Sequence, residues 1–210
     1  TGVQEFMGLE FQVNEHVLIP RQDTETLVEL VLSEHKEKNI SLLDVCTGSG
    51  CIAISLAKLG GYTDVTALDL SEEALKVARS NGEKLLDQPV KFIKSDMFSA
   101  LNPEKQYNVI VSNPPYIPRA DIETLDTSVK DYEPHLALDG GEDGLDFYRS
   151  ISEKWKEALA PGGRLYFEVG IGQADNVLRI MRTQGFGDIQ VVKDHHDIPR
   201  VVFGTLCTEL

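Results

Sequence analysis

The chain predicts an α/β fold: a mostly parallel seven-stranded sheet with helices on both faces, an antiparallel strand near the C-terminal end and a small N-terminal β-hairpin. Two observations predict it. From residue 41 onward, apolar runs of strand length alternate with helix-length segments, and strands separated by helices pair in parallel through right-handed crossovers. The last two apolar runs are joined only by "HHDIP", too short for a crossover, so that pair must be antiparallel.

The elements follow in order. "EFMGLEFQV" and "HVLIP" read as short extended pieces with a glycine at the bend, and Asp23 is positioned to cap a helix through about Glu37, with Leu27, Leu30, Val31 and Glu34 near one face. "SLLDVC" (41–46) is a buried-type strand, followed by "TGSG" and a helix from about Cys51 to Leu59. After the strand "DVTALDL" (64–70), Ser71 caps a helix to about Leu85, with Glu72 and Glu73 in its favourable first turn. "VKFIKS" (90–95) and "YNVIVS" (107–112) are the third and fourth strands. A helix over about 145–159, the strand "GGRLYFEVG" (162–170), a helix over 174–184 and the strands "DIQVVKD" and "RVVFGTL" complete the set. The 32 residues between Asn113 and Gly144 break the rhythm, with a short helix expected near Ile122 to Val129. Compact domains seldom carry structureless connections beyond about 12–15 residues unless these are functional or disordered. This one leaves the C-terminal end of a strand, where open parallel sheets bind ligands.

Length and composition bound the function. At 210 residues, 41% hydrophobic and 26% charged, the chain is one ordinary domain or a domain with a small appendage. No apolar run approaches the roughly 18 residues of a membrane span. The start lacks both a signal-peptide pattern and an initiator Met, so an N-terminal region is expected to be missing. Cys46, Cys51 and Cys207 are odd in number and lack C-x-x-C spacing, which argues against zinc or a disulfide framework and fits a reducing cytoplasm. A net charge of −14 repels phosphate backbones, counts against nucleic acid and would suit a basic protein partner.

Gly48, Gly50 and Ala53 satisfy a G-x-G-x-x-G/A pattern between strand and helix, and Asp69 ends the next strand 21 residues beyond Gly48. A glycine pair alone is more often a tight turn. In this strand–loop–helix–strand–acid context it points to a cofactor containing ribose, whose hydroxyls the carboxylate can accept. The phosphate-loop pattern is absent, which leaves NAD and S-adenosylmethionine. Asp44 is an unexpected charge in a buried strand. It is suited to hold loop amides or water near the cofactor, or to be a merely structural capped carboxylate.

"SNPPYIP" (112–118) lies at the mouth of the same cleft. Pro114 and Pro115 hold the residues before them extended and donate no backbone hydrogen bonds, although their carbonyls accept. The Asn113 side-chain oxygen and the Pro114 carbonyl therefore form a rigid pair of acceptors that fits an –NH2 group, with Tyr116 adding an aromatic face. Binding both hydrogens favours a pyramidal nitrogen with a free lone pair, and no strong general base is then needed. A loop turn is the bland reading, and it loses beside the glycine loop and Asp69.

The stretches "DVCTGSG", "ALDLSEEAL", "SDMF", "VSNPPYIP", "YEPHLALDGGEDGLDFYR" and "GGRLYFEVGIGQ" resemble class I methyltransferases acting on protein glutamine. Within that class the chain resembles the HemK/PrmC-type peptide chain release factor glutamine methyltransferases, as does "HVLIPRQDTETLVE" near the start. N-P-P-Y alone is shared with enzymes that methylate adenine amines. "LIPR…TE" and "EP…AL.GG.DGL" are the more specific signals.

The resemblance implies a class I methyltransferase fold over 23–210, with 1–22 as a hairpin and linker to an N-terminal helical domain. It implies S-adenosylmethionine held by Cys46, Thr47, Gly48, Ser49, Gly50, Asp69, Asp96, Met97 and Asn113, leaving S-adenosylhomocysteine as product. Asn113, Pro114, Pro115 and Tyr116 would hold the substrate amide, with Asn113, Pro114 and Tyr116 catalytic. The implied substrate is the Gln of the Gly-Gly-Gln motif in a release factor. The alternatives are another protein glutamine, such as one in a ribosomal protein, and adenine in nucleic acid. A cytoplasmic monomer without membrane, metal or direct nucleic-acid contact is expected. Cys46 stands where the family usually has Gly, Met97 where some members have Trp, and Gln22 where Pro often follows the Arg.

Three further features tempt. Asp194, His195, His196 and Asp197 sit in one turn without metal-site spacing and are expected to be a solvated corner. Glu168 is read as a buried structural carboxylate, with catalysis the minority reading. Arg21 is expected either to pair with an acid or to line the cleft.

Overall fold

The computed structural model describes residues 2–130 and 132–207. The N-terminal strands β1 (Val3–Phe6) and β2 (Leu9–Gln12) form the antiparallel hairpin. The main sheet holds β3 (Ser41–Val45), β4 (Asp64–Asp69), β5 (Lys91–Lys94), β6 (Tyr107–Ser112), β7 (Leu159–Glu168), β8 (Phe186–Lys193) and β9 (Pro199–Leu206). Its order is β5-β4-β3-β6-β7-β9-β8, and β9 alone runs antiparallel to its neighbours. The helices are α1 (Glu25–Glu34), α2 (Cys51–Gly60), α3 (Glu72–Leu85), α4 (Arg119–Ile122), α5 (Thr127–Lys130), α6 (Asp146–Ala158) and α7 (Ala174–Thr183).

Side-chain alternation along the strands builds two cores. Leu42, Val109, Val111, Tyr166, Val201 and Phe203 face one layer with Leu27 and Val28 of α1 and Ile52 and Leu56 of α2. Leu43, Val45, Ile110, Leu165, Phe167 and Val202 face the other, with Tyr148 and Ile151 of α6 and Val177 and Met181 of α7. Strands covered on both faces read as continuous apolar runs, which is why "SLLDV" and "YNVIVS" were recognisable as strands. The hairpin joins the first layer through Phe6 and Phe11, both fully buried. Asn81 of α3 fastens it there. Its Nδ2 donates to the carbonyls of Gln12 and Ser49, each at 3.0 Å, and its Oδ1 accepts from the Gln12 amide at 2.8 Å.

Two local expectations need correction. Asp23 does not cap a long helix: residues Gln22–Thr24 form a 3-10 turn, α1 begins at Glu25 and ends at Glu34, and the Asp23 carboxylate instead pairs with Arg200 at 3.0 Å. An ion pair brought by β9 outcompetes a local cap. The long connection contains two one-turn helices, α4 and α5, and a 3-10 turn at His135–Ala137 instead of one helix over 122–129. Its two ends are tied together, since Ile117 bridges to Asp139 and the Gly140 amide donates to the Ile117 carbonyl at 2.9 Å. A Cβ on Gly140 would lie 2.7 Å from the Tyr116 Cα, so only glycine allows the return of the chain against that backbone.

The strand order reverses between β3 and β6. The loops leaving their C-terminal ends diverge there and leave a crevice, the position at which open α/β sheets bind ligands.

Candidate active site

A cleft opens at that point, with about 890 Å³ of free space counting its mouth. One wall is the glycine loop: Cys46, Thr47, Gly48 and Ser49 line it, together with Asp69, Leu70 and Ser71 from the end of β4. Gly50 does not line it. Gly50 turns the chain into α2 and packs against Ile54 and Ala78. Asp69 organises this wall, with Oδ2 accepting from the Gly48 amide and Oδ1 from the Ser71 amide, each at 2.8 Å. Burial pushes its carboxyl above the usual range, and these backbone amides pull it back toward the ionised form. A Cβ at Gly48, where φ is +54°, would meet no protein atom within 4 Å, so this edge of the loop is bare backbone facing open space.

Cys46 adopts φ +64°, the left-handed conformation glycine takes at little cost. Burial pushes its thiol, and that of Cys51, well up, which removes both as nucleophiles. Asp44 is fully buried and lies behind the loop. Its Oδ2 accepts from the Thr47 hydroxyl at 2.6 Å while Oδ1 has no partner, and burial raises the carboxyl to about 7.

Asn113 and Pro115 line the opposite wall. Pro114 is buried beneath them, and Tyr116 differs from expectation. Its ring lies in the second core against Gly170 and presents no aromatic face to the cleft. Its carbonyl accepts from Gln173 Nε2 at 2.8 Å, so Tyr116 anchors the Asn-Pro-Pro ledge from behind. Asp96 and Met97 follow β5, one strand beyond Asp69. Asp96 is exposed, Met97 has φ +50°, and neither lines the cleft.

Sequence reasoning missed the remaining walls. His16, Val17, Leu18 and Pro20 of the N-terminal connection line one flank, and Pro134, Leu136 and Ala137 of the long connection line another. The two flanks are tied at Arg21, whose Nη2 donates to Glu133 Oε1 at 2.5 Å. "LIPR" and "EPHLAL", the most specific stretches of the resemblance, thus meet at the cleft, and Arg21 does both things expected of it. Thr24, buried at the start of α1, accepts from Asn113 Nδ2 at 3.3 Å. Only its place in the "TE" of the same stretch signalled it.

In the C-terminal turn His195, His196 and Asp197 are exposed, as expected of a solvated corner, and only Asp194 departs from it. The Asp194 side chain is buried and pairs with Arg200 at 3.2 Å, and Asp23 and His196 approach the same point. The guanidinium bridging Asp23 and Asp194 compensates their charge.

Sheet order, cleft position and an acid-tipped second strand beside a glycine loop define a class I methyltransferase fold. The family described as methyltransferase small domain matches residues 22–141. The release factor glutamine methyltransferase of Koribacter versatilis is 46% identical over 205 residues, covering 97% of this chain and 72% of that protein. The corresponding protein of Geobacter sulfurreducens is 45% identical, covering 98% of this chain and 71% of its own length. A solved protein-(glutamine-N5) methyltransferase, release factor-specific, from Alicyclobacillus acidocaldarius superposes with a TM-score of 0.55 at 33% identity, covering 94% of this chain and 100% of that one. A methyltransferase from Pyrococcus furiosus shares the fold, with a TM-score of 0.71 at 19% identity over 96% of this chain and 91% of its own. The chain belongs to the release factor glutamine methyltransferase family. Among the described residues, no helix is long and apolar enough to cross a membrane.

Proposed function

We propose that this protein transfers a methyl group from S-adenosylmethionine to the side-chain amide nitrogen of the glutamine in the Gly-Gly-Gln motif of a peptide chain release factor. One observation carries the reading: the Asp69-braced glycine loop and the Asn113–Pro115 ledge face each other across one cleft. The donor set fits the cofactor. Asp69 spends one hydrogen bond per oxygen on the loop and keeps lone pairs for ribose hydroxyls, and the bare edge at Gly48 admits close backbone approach. We assign Cys46, Thr47, Gly48, Ser49, Asp69 and Asn113 to holding it, with Gly50 shaping the loop as it turns into α2. Asp96 and Met97 enter on the family resemblance alone.

When bound, S-adenosylmethionine supplies an electrophilic methyl group on a sulfonium centre. Asn113 Oδ1 and the Pro114 carbonyl accept the two hydrogens of the substrate amide, Pro115 limits the movement of the ledge, and Tyr116 holds it from behind. Two acceptors on one –NH2 favour a pyramidal nitrogen with an available lone pair, and fixed orientation supplies much of the rate. Residues 1–22 act as a hairpin and connection that complete the cleft of the catalytic unit 23–210. A cytoplasmic monomer is part of the same proposal.

The test is transfer of a labelled methyl group to a full-length release factor and to the same factor with its loop Gln changed to Asn. Label on the first alone is the expected result. Label on adenine in an oligonucleotide, and on neither protein, would favour the adenine reading, which the net charge of −14 opposes. S-adenosylhomocysteine should raise the melting temperature and NAD should not.

A further inference from the structure

We infer that Glu168, acting with Thr24, is the positioning residue that sets which way the Asn113 amide points, keeping its oxygen toward the substrate. This rests on the reading of Asn113 as a substrate acceptor given above. Register supplies the first observation. Ser112 of β6 pairs with Phe167 of β7, so Asn113 and Glu168 are the next residues on adjacent parallel strands. Strand alternation carries both to the face occupied by Val111 and Tyr166, where α1 begins.

The second observation is the hydrogen-bond arrangement. Asn113 Nδ2 donates to Thr24 Oγ1 at 3.3 Å, which leaves the hydroxyl proton of Thr24 free for an acceptor. Glu168, next to Asn113 in register, is placed to take that proton, and the Thr24 hydroxyl and the Asn113 amide both favour its ionised form. It is 1% exposed, and its Oε2 has no partner. An ionised carboxylate can only accept, so an amide beside it must turn its –NH2 inward and its oxygen away, toward the cleft that Asn113 lines. A protonated Glu168 can donate. The amide is then free to turn its oxygen inward and meet the substrate –NH2 with its own, donor against donor.

The surroundings poise this group. Burial raises the Glu168 carboxyl to about 7, while Arg200 of β9 opposes the rise and Asp23 of the 3-10 turn adds to it. The Tyr116 phenol of the ledge, the Tyr148 phenol of α6 and the Cys51 thiol of α2 also feel its charge. Arg200 is shared with Asp23 and Asp194 and cannot neutralise Glu168 alone.

The experiment compares kcat and KM for methyl transfer to a release factor, across pH 5.5 to 8.5 (roughly the window around this group), in the wild type, Glu168→Gln, Thr24→Val, Thr24→Ser and Asn113→Ala. Wild-type kcat should rise with pH through about 7. Glu168→Gln should lose about tenfold or more in kcat and lose that limb, with KM for S-adenosylmethionine unchanged. Thr24→Val tests the same relay without touching a buried charge and should lower kcat, while Thr24→Ser restores it. Wild-type kcat and pH profile in both Glu168→Gln and Thr24→Val, with Asn113→Ala inactive, would overturn the inference and leave the ledge mechanism standing. Full turnover in Asn113→Ala would instead remove the ledge reading itself, and this inference with it.

Discussion

The two walls of the cleft are built on opposite plans. The glycine-loop wall is mainly local: its two carboxylates bond residues between Asp44 and Ser71, as in Thr47 to Asp44 and Gly48 to Asp69, and Asn81 of the next helix adds one bond to the Ser49 carbonyl. The ledge wall is assembled from a distance. Asn113 meets Thr24 across 89 positions, Arg21 meets Glu133 across 112, and Gln173 meets Tyr116 across 57. A cofactor site made of one strand–loop–helix–strand unit is specified wherever that unit folds. A substrate site made of long-range contacts exists only when the whole sheet has formed around it, and it is therefore the side more open to tuning.

The largest expected effect separates the walls. Asn113→Ala should lower kcat by about 10²–10³, the usual cost of removing one preorganised transition-state group, while S-adenosylhomocysteine titration shows near-native affinity. Parallel losses in both would mean that the walls are not independent. Asp69→Ala should do the reverse, weakening S-adenosylhomocysteine by about 1.5–3 kcal/mol, as expected for hydrogen bonds to a charged group, as read by calorimetry. Unchanged affinity would remove Asp69 from the cofactor site.

A smaller effect is expected where the flanks join. Arg21→Ala leaves Glu133 buried without its partner, but 41% of the Arg21 side chain is exposed, so the loss should be about 1 kcal/mol. It should appear as faster proteolysis within 113–144 and a higher KM for the release factor, with S-adenosylhomocysteine binding little changed. A variant cleaved no faster than wild type would show that the Arg21–Glu133 contact does not order the connection.

A separate effect, read in stability and not in turnover, is a pH dependence in the glycine-loop wall. Burial raises the Asp44 carboxyl from 3.8 to about 7, so the folded state holds a proton that the unfolded state has lost between those values. The stabilisation this gives is complete below about 3.8 and is lost progressively as pH rises to about 7. Asp44→Asn removes this titration, so its melting temperature relative to wild type should rise between pH 4 and pH 7 (about the window of the shift). A constant difference would place the Asp44 proton elsewhere.

Legibility followed the same division. Strands β3 to β6, the Ser71 cap and the pairing of the glycine loop with Asp69 were readable, because short continuous apolar runs and capping chemistry act within a few residues. Asp23 was misread as a cap because its competitor, Arg200, lies on β9. Tyr116 was misread as a cleft face because its place in the motif does not say which side of the ledge packs on Gly170. Thr24, Glu133 and the flank formed by 16–20 were signalled only by their place in the stretches that carry the resemblance, and not by a local pattern of chemistry.

By itself, the sequence determined the doubly covered sheet, the position of the crevice beyond the first and fourth strands of that sheet, and the residue types of a cofactor loop and an amide ledge. Those follow from periodicity, chain connectivity and backbone stereochemistry, all short-range. Only the tertiary structure decided which polar groups face each other: Glu168 and Thr24 behind Asn113, Arg21 on Glu133, and Arg200 between Asp23 and Asp194. The physical reason is that a buried charge is tolerable only beside its partner, and partners such as Arg21 and Glu133, 112 positions apart, meet only when the tertiary fold brings their connections together.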